Sequence, residues 1–433
     1  MLVPIIAADK QLYAQISRLF TCDQDAAAVE ARETAARFDP VWVGSHQGAI
    51  EYISYQMPPL MVIDFSDPAI AGFDLIERVA SDPWLNNGGI LALYEASADG
   101  ERIAELKQSN LLFSLQRQEV ARQLPTVLRV IRENRQILIQ RAMQSDLLST
   151  LTGFFTLGMD LLLVPCYANL VANYLFNMSF VDVQEKSRIA LALTEMLTNA
   201  IEHGNCEITA QEKTQVLESG ARIQDLITER IKRPGIATRT VFFGYEIGAD
   251  RSTFVIRDQG RGFDWRSHLR PADEGDVFSL HGRGILLAAR CVAEMDYNEA
   301  GNEVTLGVRH RQNASNAMPS AFRNSETVTV APDDVVCRQG EESSSVFYVA
   351  EGEFRVLIDG RVVATINPSD ILVGEMSFLL DQRRSATVIA NTPGRLIRIS
   401  KEEFIDGIKA QPYYAIFLAK LLAQRLWRRD NRT

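Results

Sequence analysis

Three short patterns, met in a fixed order, constrain this chain more than anything else in it: "TEMLTNAIEHGN" (194–205), "RDQGRG" (257–262) and "LHGRGILLAARC" (280–291). The first lies in apolar surroundings of helical period. Its Glu195, Asn199 and His203 stand four apart and so share nearly one helix face. The second closes a predicted strand, "STFVIRD", with Asp258, Gly260 and Gly262; the third opens a predicted helix with Gly282 and Gly284. An ordinary amphipathic helix would explain the first pattern alone, and turn glycines are common. The ordered set says more, because it asks a helix, a strand end and a helix N-terminus to converge. A buried carboxylate there can accept from an exocyclic amine such as that of adenine. Glycines let backbone approach the base, and free N–H groups at a helix start meet phosphate. An amide oxygen on Asn199 can ligate Mg²⁺, and a carboxylate on Glu195 can take a proton from an attacking hydroxyl.

This set resembles the ATP-binding fold shared by gyrase, the ninety-kilodalton chaperone and histidine kinases, over roughly residues 160–308. The Asn199 helix and the downstream "EAGNEVTL" look most like the anti-sigma-factor serine/threonine kinase branch. The resemblance implies an α/β sandwich that uses ATP and Mg²⁺. It makes Asn199 the metal ligand, Glu195 the base, Asp258 the adenine contact, and Gly260, Gly262, Gly282 and Gly284 the nucleotide loops. It also implies a protein partner, such as an anti-sigma antagonist or a sigma-like factor. The segment 207–238 is an insert with no assigned role.

A histidine kinase also needs a phospho-accepting histidine on a preceding helix. The five histidines are His46, His203, His268, His281 and His310, none of them in 121–155. Autophosphorylation on such a helix in cis is therefore ruled out, and His203 reads as support for the ATP site rather than as a nucleophile. The alternatives are a non-catalytic ATP-binding protein that switches by sequestering a partner, and an orphan histidine kinase acting on a separate phosphotransfer protein.

A second specific motif is "VGEMSFLLDQRRSATVIA" (373–390). A Gly-Glu pair, a short apolar helix and then Arg-Ser-Ala-Thr make a compact anion pocket. Arg384 can grip phosphate bidentately, helix N–H groups add to it, and Glu375 can accept from a ribose hydroxyl. This resembles the phosphate-binding cassette of cyclic-nucleotide-binding domains, and "DDVVCRQGEESSSVFYVAEGEFRVL" resembles their opening strands. By resemblance Gly374, Glu375, Arg384 and Ser385 bind a cyclic nucleotide, cAMP or cGMP. A β-roll with terminal helices is expected, and Asp359-Gly360 is a hairpin signature. No helix-turn-helix follows the closing helix, so direct promoter binding is not expected.

At the other end, "LVPIIAA", "VWVG", "PLMVIDF", "GGILALY" and "NLLFSL" read as five buried strands alternating with helices, hence a parallel doubly wound sheet. "PPLMVIDFSDPAIAGFDLIERV" resembles the third strand and following loop of a response-regulator receiver of flavodoxin-like fold, in which Asp64 is the phospho-acceptor. Departures mark the switch as degenerate. Asp9 lacks a neighbouring acid, and Gln116 and Arg117 stand where a lysine belongs.

The expected organisation is multidomain α/β and α+β. It comprises a receiver-like domain (1–120), a linking signalling helix (121–155), the ATPase domain (156–310), a polar linker (311–326) and the cyclic-nucleotide domain (327–433). Leu124, Leu128, Ile131 and Leu138 give the linking helix a partial heptad stripe, which could carry a homodimer. A net charge of −10 argues against a general nucleic-acid surface. Five scattered cysteines without CxxC spacing suit a reducing cytoplasm. No signal peptide or membrane span is read, and the reading is a cytoplasmic bacterial signalling protein.

Overall fold

A computed structural model describes residues 1–27, 37–82, 85, 88–106, 109–138, 150–178, 180–248, 250–268, 283–310, 319–380 and 382–430. Among these, no helix is long and apolar enough to cross a membrane. The chain forms two compact units: residues 1–146, 173–182 and 312–433 make one, and 147–172 with 183–311 make the other.

The first unit begins with alternating strands and helices: β1 (Leu2–Ile6), α1 (Lys10–Ala27), β2 (Asp39–Val43), α2 (His46–Gln56), β3 (Leu60–Asp64), α3 (Gly72–Ala80), β4 (Gly89–Tyr94), α4 (Ser97–Ala104), β5 (Leu111–Gln116) and α5 (Val120–Glu133). All five apolar runs are strands, paired in parallel in the order β2-β1-β3-β4-β5. Every residue of β3 is buried, which is why it reads as continuous apolar sequence rather than alternation.

The long helix expected over 121–155 ends at Glu133. Asn134 donates its side-chain amide to the Val130 carbonyl at 2.8 Å, beside its own backbone N–H on the same oxygen. A side chain that takes the helix's acceptor ends the ladder. Residues 139–149 lie outside the described residues, and 150–157 is a strand. Leu124, Leu128 and Ile131 are at most 1% exposed. The stripe expected to mark a dimer seam is therefore the inner face of α5 within its own unit, with Leu138 buried close behind it.

The second unit contains β6 (Thr150–Leu157), α6 (Val164–Asn177, its last turn in the first unit), α7 (Val183–Asn199), α8 (Ala210–Glu218), α9 (Ile223–Ile231), β7 (Val241–Gly248), β8 (Arg251–Arg257), α10 (Arg283–Cys291), β9 (Glu294–Tyr297) and β10 (Glu303–Arg309). The sheet is antiparallel, in the order β6-β7-β8-β10-β9. The helix expected after the third pattern ends at Cys291, and β9 was not anticipated, being a four-residue edge strand with little apolar signal.

The remainder of the first unit is a β-roll: β11 (Glu326–Val330), β12 (Val335–Cys337), β13 (Ser345–Glu351), β14 (Phe354–Ile358), β15 (Arg361–Ile366), β16 (Leu372–Val373), α11 (Glu375–Leu379), β17 (Thr387–Ala390), β18 (Gly394–Ser400), α12 (Lys401–Ala410) and α13 (Tyr413–Asp430). Its sheets run β11-β18-β13-β16 and β12-β17-β14-β15. The Asp359-Gly360 turn joins β14 to β15 with both residues at positive φ (50° and 79°), the primed turn that matches strand twist. One apolar core runs through the first unit, taking in Ile63 and Ile76 of the parallel sheet and its helices together with Tyr348, Phe404 and Tyr414 of the roll and its closing helices.

Candidate nucleotide sites

The Asn199 helix does not stay regular. After Asn199 it widens into a π turn over Ala200–Asn205, closed by the Cys206 N–H on the Ile201 carbonyl at 2.9 Å. Glu195, Asn199 and His203 still line one cavity of about 440 Å³, together with Asp258, Gly262 and Gly284. Two ends can be told apart. At one, a side chain on Gly284 would put its Cβ 2.6 Å from Glu195 Oε2 and 3.7 Å from Asn199 Nδ2, so the start of α10 lies directly against both. At the other, a Cβ on Gly204 would fall 2.3 Å from Asp258 Cγ, and one on Gly260 2.4 Å from the Gly204 carbonyl oxygen. Gly262 is at φ +77°, where a Cβ would strike the Ala300 carbonyl. At Gly260 and Gly262 the neighbour is backbone, and only glycine lets the two chains come that close. Gly282 lies outside the described residues.

Asp258 follows β8, and burial lifts its carboxyl from the usual carboxylate range to about 6, with the Gly260 N–H and Arg239 pulling the other way. The Gly260 N–H donates to Asp258 Oδ1 at 2.7 Å, fixing the carboxylate at the cavity wall. His203 is not aligned as a nucleophile: its Nδ1 bonds the Ile208 carbonyl at 2.6 Å, pinning the π turn to the chain that follows.

Several residues that complete the site were not singled out from the sequence. Asn205 is fully buried, and its Oδ1 accepts from the Gln259 N–H at 2.7 Å, tying the π turn to the loop after β8. Tyr297 lines the cavity from β9 and stacks on Trp265, with centroids 5.7 Å apart. Asn298 Oδ1 accepts from the N–H groups of Gly301 and Asn302, which shapes the turn inside "EAGNEVTL". The insert lines the cavity as well, through Ile208, Thr209, Ala210 and Lys213. The quoted "EHGN" contained Asn205, but no spacing rule marks an asparagine that braces a neighbouring loop.

In the roll, Arg384 is 6% exposed although it is charged. It donates to the Ser345 carbonyl at 2.6 Å and the Gly374 carbonyl at 3.2 Å, with its guanidinium 5.6 Å from the Phe347 ring centre. Gly374 sits at φ +81°, and a Cβ there would lie 2.1 Å from Arg384 Nη1. Gly374 is thus the N-cap of α11, and Glu375, buried at the first helical position, faces the same turn. Ser385 follows and is exposed. The four residues named from the sequence lie at the start of α11 and in the segment just before β17.

Asp64 ends β3 with no exposed surface. Burial raises its carboxyl above the usual range, opposed by Arg117. The Arg117 guanidinium reaches both oxygens: Nη2 to Oδ2 at 2.5 Å and Nε to Oδ1 at 3.2 Å. Arg117 also pairs with Glu95 at 3.1 Å. Asp9 points elsewhere, its Oδ1 accepting from the Gln11 N–H.

Residues 327–411 match the model of the cyclic nucleotide-binding domain, and 167–308 match that of the histidine kinase-like ATPase domain. The chain is 33% identical over 103 residues to the Pycsar effector protein PaPycTIR of Pseudomonas aeruginosa, covering 24% of this chain and 33% of the relative. It is 35% identical over 97 residues to the cyclic AMP receptor protein of Thermus thermophilus, covering 21% of this chain and 44% of that one. The crystal structure of the Thermus thermophilus catabolite activator protein aligns at 29% identity and a TM-score of 0.24, over 26% of this chain and 55% of that one. The chain thus spans less than half the length of the curated relatives it matches. It carries a histidine kinase-like ATPase domain followed by a cyclic nucleotide-binding domain.

Proposed function

We propose that this chain is a cyclic-nucleotide-regulated signalling protein whose ATPase domain is a serine/threonine protein kinase of the anti-sigma type, acting on a protein partner. The observation that carries the reading is the shared wall of Glu195 and Asn199, one helical turn apart, against Gly284 at the start of α10. ATP would lie with its base at Asp258, whose carboxylate accepts from the exocyclic amine, and its phosphates toward the N–H groups that open α10. Mg²⁺ suits a hard oxygen donor, and the Asn199 amide oxygen would hold it beside the phosphate oxygens, where it supplies charge neutralisation. Glu195 would accept the proton of a partner's serine or threonine hydroxyl. The hydroxyl oxygen then bonds to the γ-phosphorus, the bond to the β–γ bridging oxygen breaks, and ADP leaves.

The parallel sheet, in the order 2-1-3-4-5, has the strand order of flavodoxin-like folds and supports reading residues 1–120 as receiver-like. Arg117 holds the Asp64 carboxylate by charge rather than leaving it for phosphate, which favours a docking role over a phosphorylation switch. Cyclic nucleotide at Arg384 and Glu375 would be the input. The similarity to a cyclic AMP receptor protein makes cAMP the first ligand to test, with cGMP beside it.

The test is transfer of labelled γ-phosphate from ATP to a candidate antagonist protein. Glu195→Gln should lower transfer by about 100-fold or more while leaving ATP binding intact. Equal transfer by both proteins would remove Glu195 from the chemistry. Bound ATP that stays intact through a long single-turnover incubation would favour a sequestering, non-catalytic protein.

A further inference from the structure

The insert between the Asn199 helix and β7 is a built element. Thr209 and Glu212 form a capping box at the start of α8. Arg230 of α9, 7% exposed, pairs with Glu212 and binds the two helices together. Arg239 donates to the Asn205 carbonyl at 2.8 Å and to Glu207 at 2.9 Å, closing the far end of the insert onto the π turn. The Ile208 N–H donates to the Glu202 carbonyl at 2.9 Å, and His203 holds the Ile208 carbonyl. The insert is therefore held at both of its ends, and the first turn of α8 lies at the wall of the cavity.

What α8 presents to the cavity is Lys213. Among the described residues lining that cavity, it is the one lysine or arginine; the carboxyl side chains there are Glu195 and Asp258. Its ammonium bonds Glu202 Oε2 at 2.6 Å, and Glu202 is 3% exposed, so the lysine is anchored to a buried carboxylate while its own side chain stays about a third exposed. An ammonium has three N–H donors, and Glu202 takes one of them. Glu202 lies along the helix between Asn199, at the phosphate end, and Gly204, which abuts Asp258 at the base end.

We infer that Lys213 is a nucleotide-binding residue supplied by the insert, contacting the phosphate nearest the ribose. The inference rests on the reading of this cavity as an ATP site and gives the insert its role. A polyanionic ligand entering between two carboxylates needs a cation at mid-length, and the insert brings one that the Asn199 helix itself lacks, since Glu202 stands there. Glu202 keeps the ammonium in place when the cavity is open and leaves it donors to share when phosphate arrives.

The test is calorimetric titration of the full chain with ATP, ADP, AMP and adenosine. Lys213→Met should weaken ATP, ADP and AMP by about 10- to 100-fold, a common factor because all three carry the proximal phosphate, and leave adenosine unchanged. Lys213→Arg, which keeps the charge, should stay within about threefold of the native protein. Unchanged ATP affinity in Lys213→Met would overturn the inference, as would an equal loss for adenosine, which would make the residue part of the wall only. If the native chain itself binds none of the four, the reading of the cavity fails along with the inference, and that outcome is distinct from either.

Discussion

Tyr414 donates its hydroxyl to Asp82 Oδ2 at 2.7 Å, and the neighbouring Tyr413 donates to the same oxygen at 2.7 Å. The acceptor follows α3 of the parallel sheet domain, and the donors open α13, which closes the roll. All three residues are at most 5% exposed. Around them the apolar core continues through Phe322, whose ring lies 5.4 Å from Tyr414 and 6.1 Å from Phe404, and Phe404 meets Phe378 of α11 edge-on at 5.3 Å. A packed chain of rings thus joins the helix that starts at Gly374 and Glu375 to the polar knot at Asp82. Burial and the Asp82 carboxylate both hold the Tyr413 hydroxyl protonated.

Because a buried carboxylate and two buried hydroxyls satisfy one another, removing the acceptor leaves donors that cannot reach water. Asp82→Ala should cost about 2–4 kcal/mol of stability, and Tyr414→Phe about 1–2 kcal/mol. Urea unfolding followed by tyrosine fluorescence measures both. A loss under about 0.5 kcal/mol for Asp82→Ala would show that the knot is solvated.

Asp64 and Arg117 predict differently. Arg117→Ala strands a fully buried carboxylate, and the expected loss is about 3 kcal/mol. In the native chain the same carboxylate should take no phosphate from acetyl phosphate. Labelling that Asp64→Asn abolishes would contradict the locked pair.

Asp258 sets a pH dependence. Its folded carboxyl titrates near 6, against 3.8 for the free group, so between those values the folded chain binds the extra proton. Its contribution to stability therefore declines as pH rises from about 4 to about 6 and is level above that. ATP needs the ionised form to accept from its amine. Affinity should fall as pH drops below about 6, approaching tenfold per unit, and the fall should vanish in Asp258→Asn. Titrations at several pH values between 5 and 8 decide this; a flat native profile would remove Asp258 as the amine acceptor.

Arg384→Lys keeps a positive charge but loses the fork that matches phosphate. Cyclic-nucleotide affinity should drop by about 10- to 100-fold, read by calorimetry with cAMP and cGMP. An unchanged affinity would place the phosphate elsewhere in the roll.

What could be read in advance follows from how local each signal is. The five parallel strands were legible because strands such as β3, buried on both faces, leave unbroken apolar runs. Gly262, Gly284 and Gly374 were legible because each stands where a side chain would meet a close neighbour: the Ala300 carbonyl, the Glu195 carboxylate and the Arg384 guanidinium. α5 was overread, since a periodic stripe looks the same whether it faces a partner or its own sheet. Its stop lay in one asparagine side chain, which no period records. The roles of Asn205, Tyr297 and Lys213 depend on segments far apart in sequence closing on one cavity, and so belong to the fold alone.

The most direct test of the whole account measures ATP affinity and phosphate transfer by the full chain, with and without saturating cAMP or cGMP, beside Arg384→Ala. Coupling between sites of this kind is worth about 5- to 150-fold in affinity. The account predicts a change in that range for the native chain and none for Arg384→Ala. A native chain that binds the cyclic nucleotide and handles ATP identically in its presence and absence would contradict it.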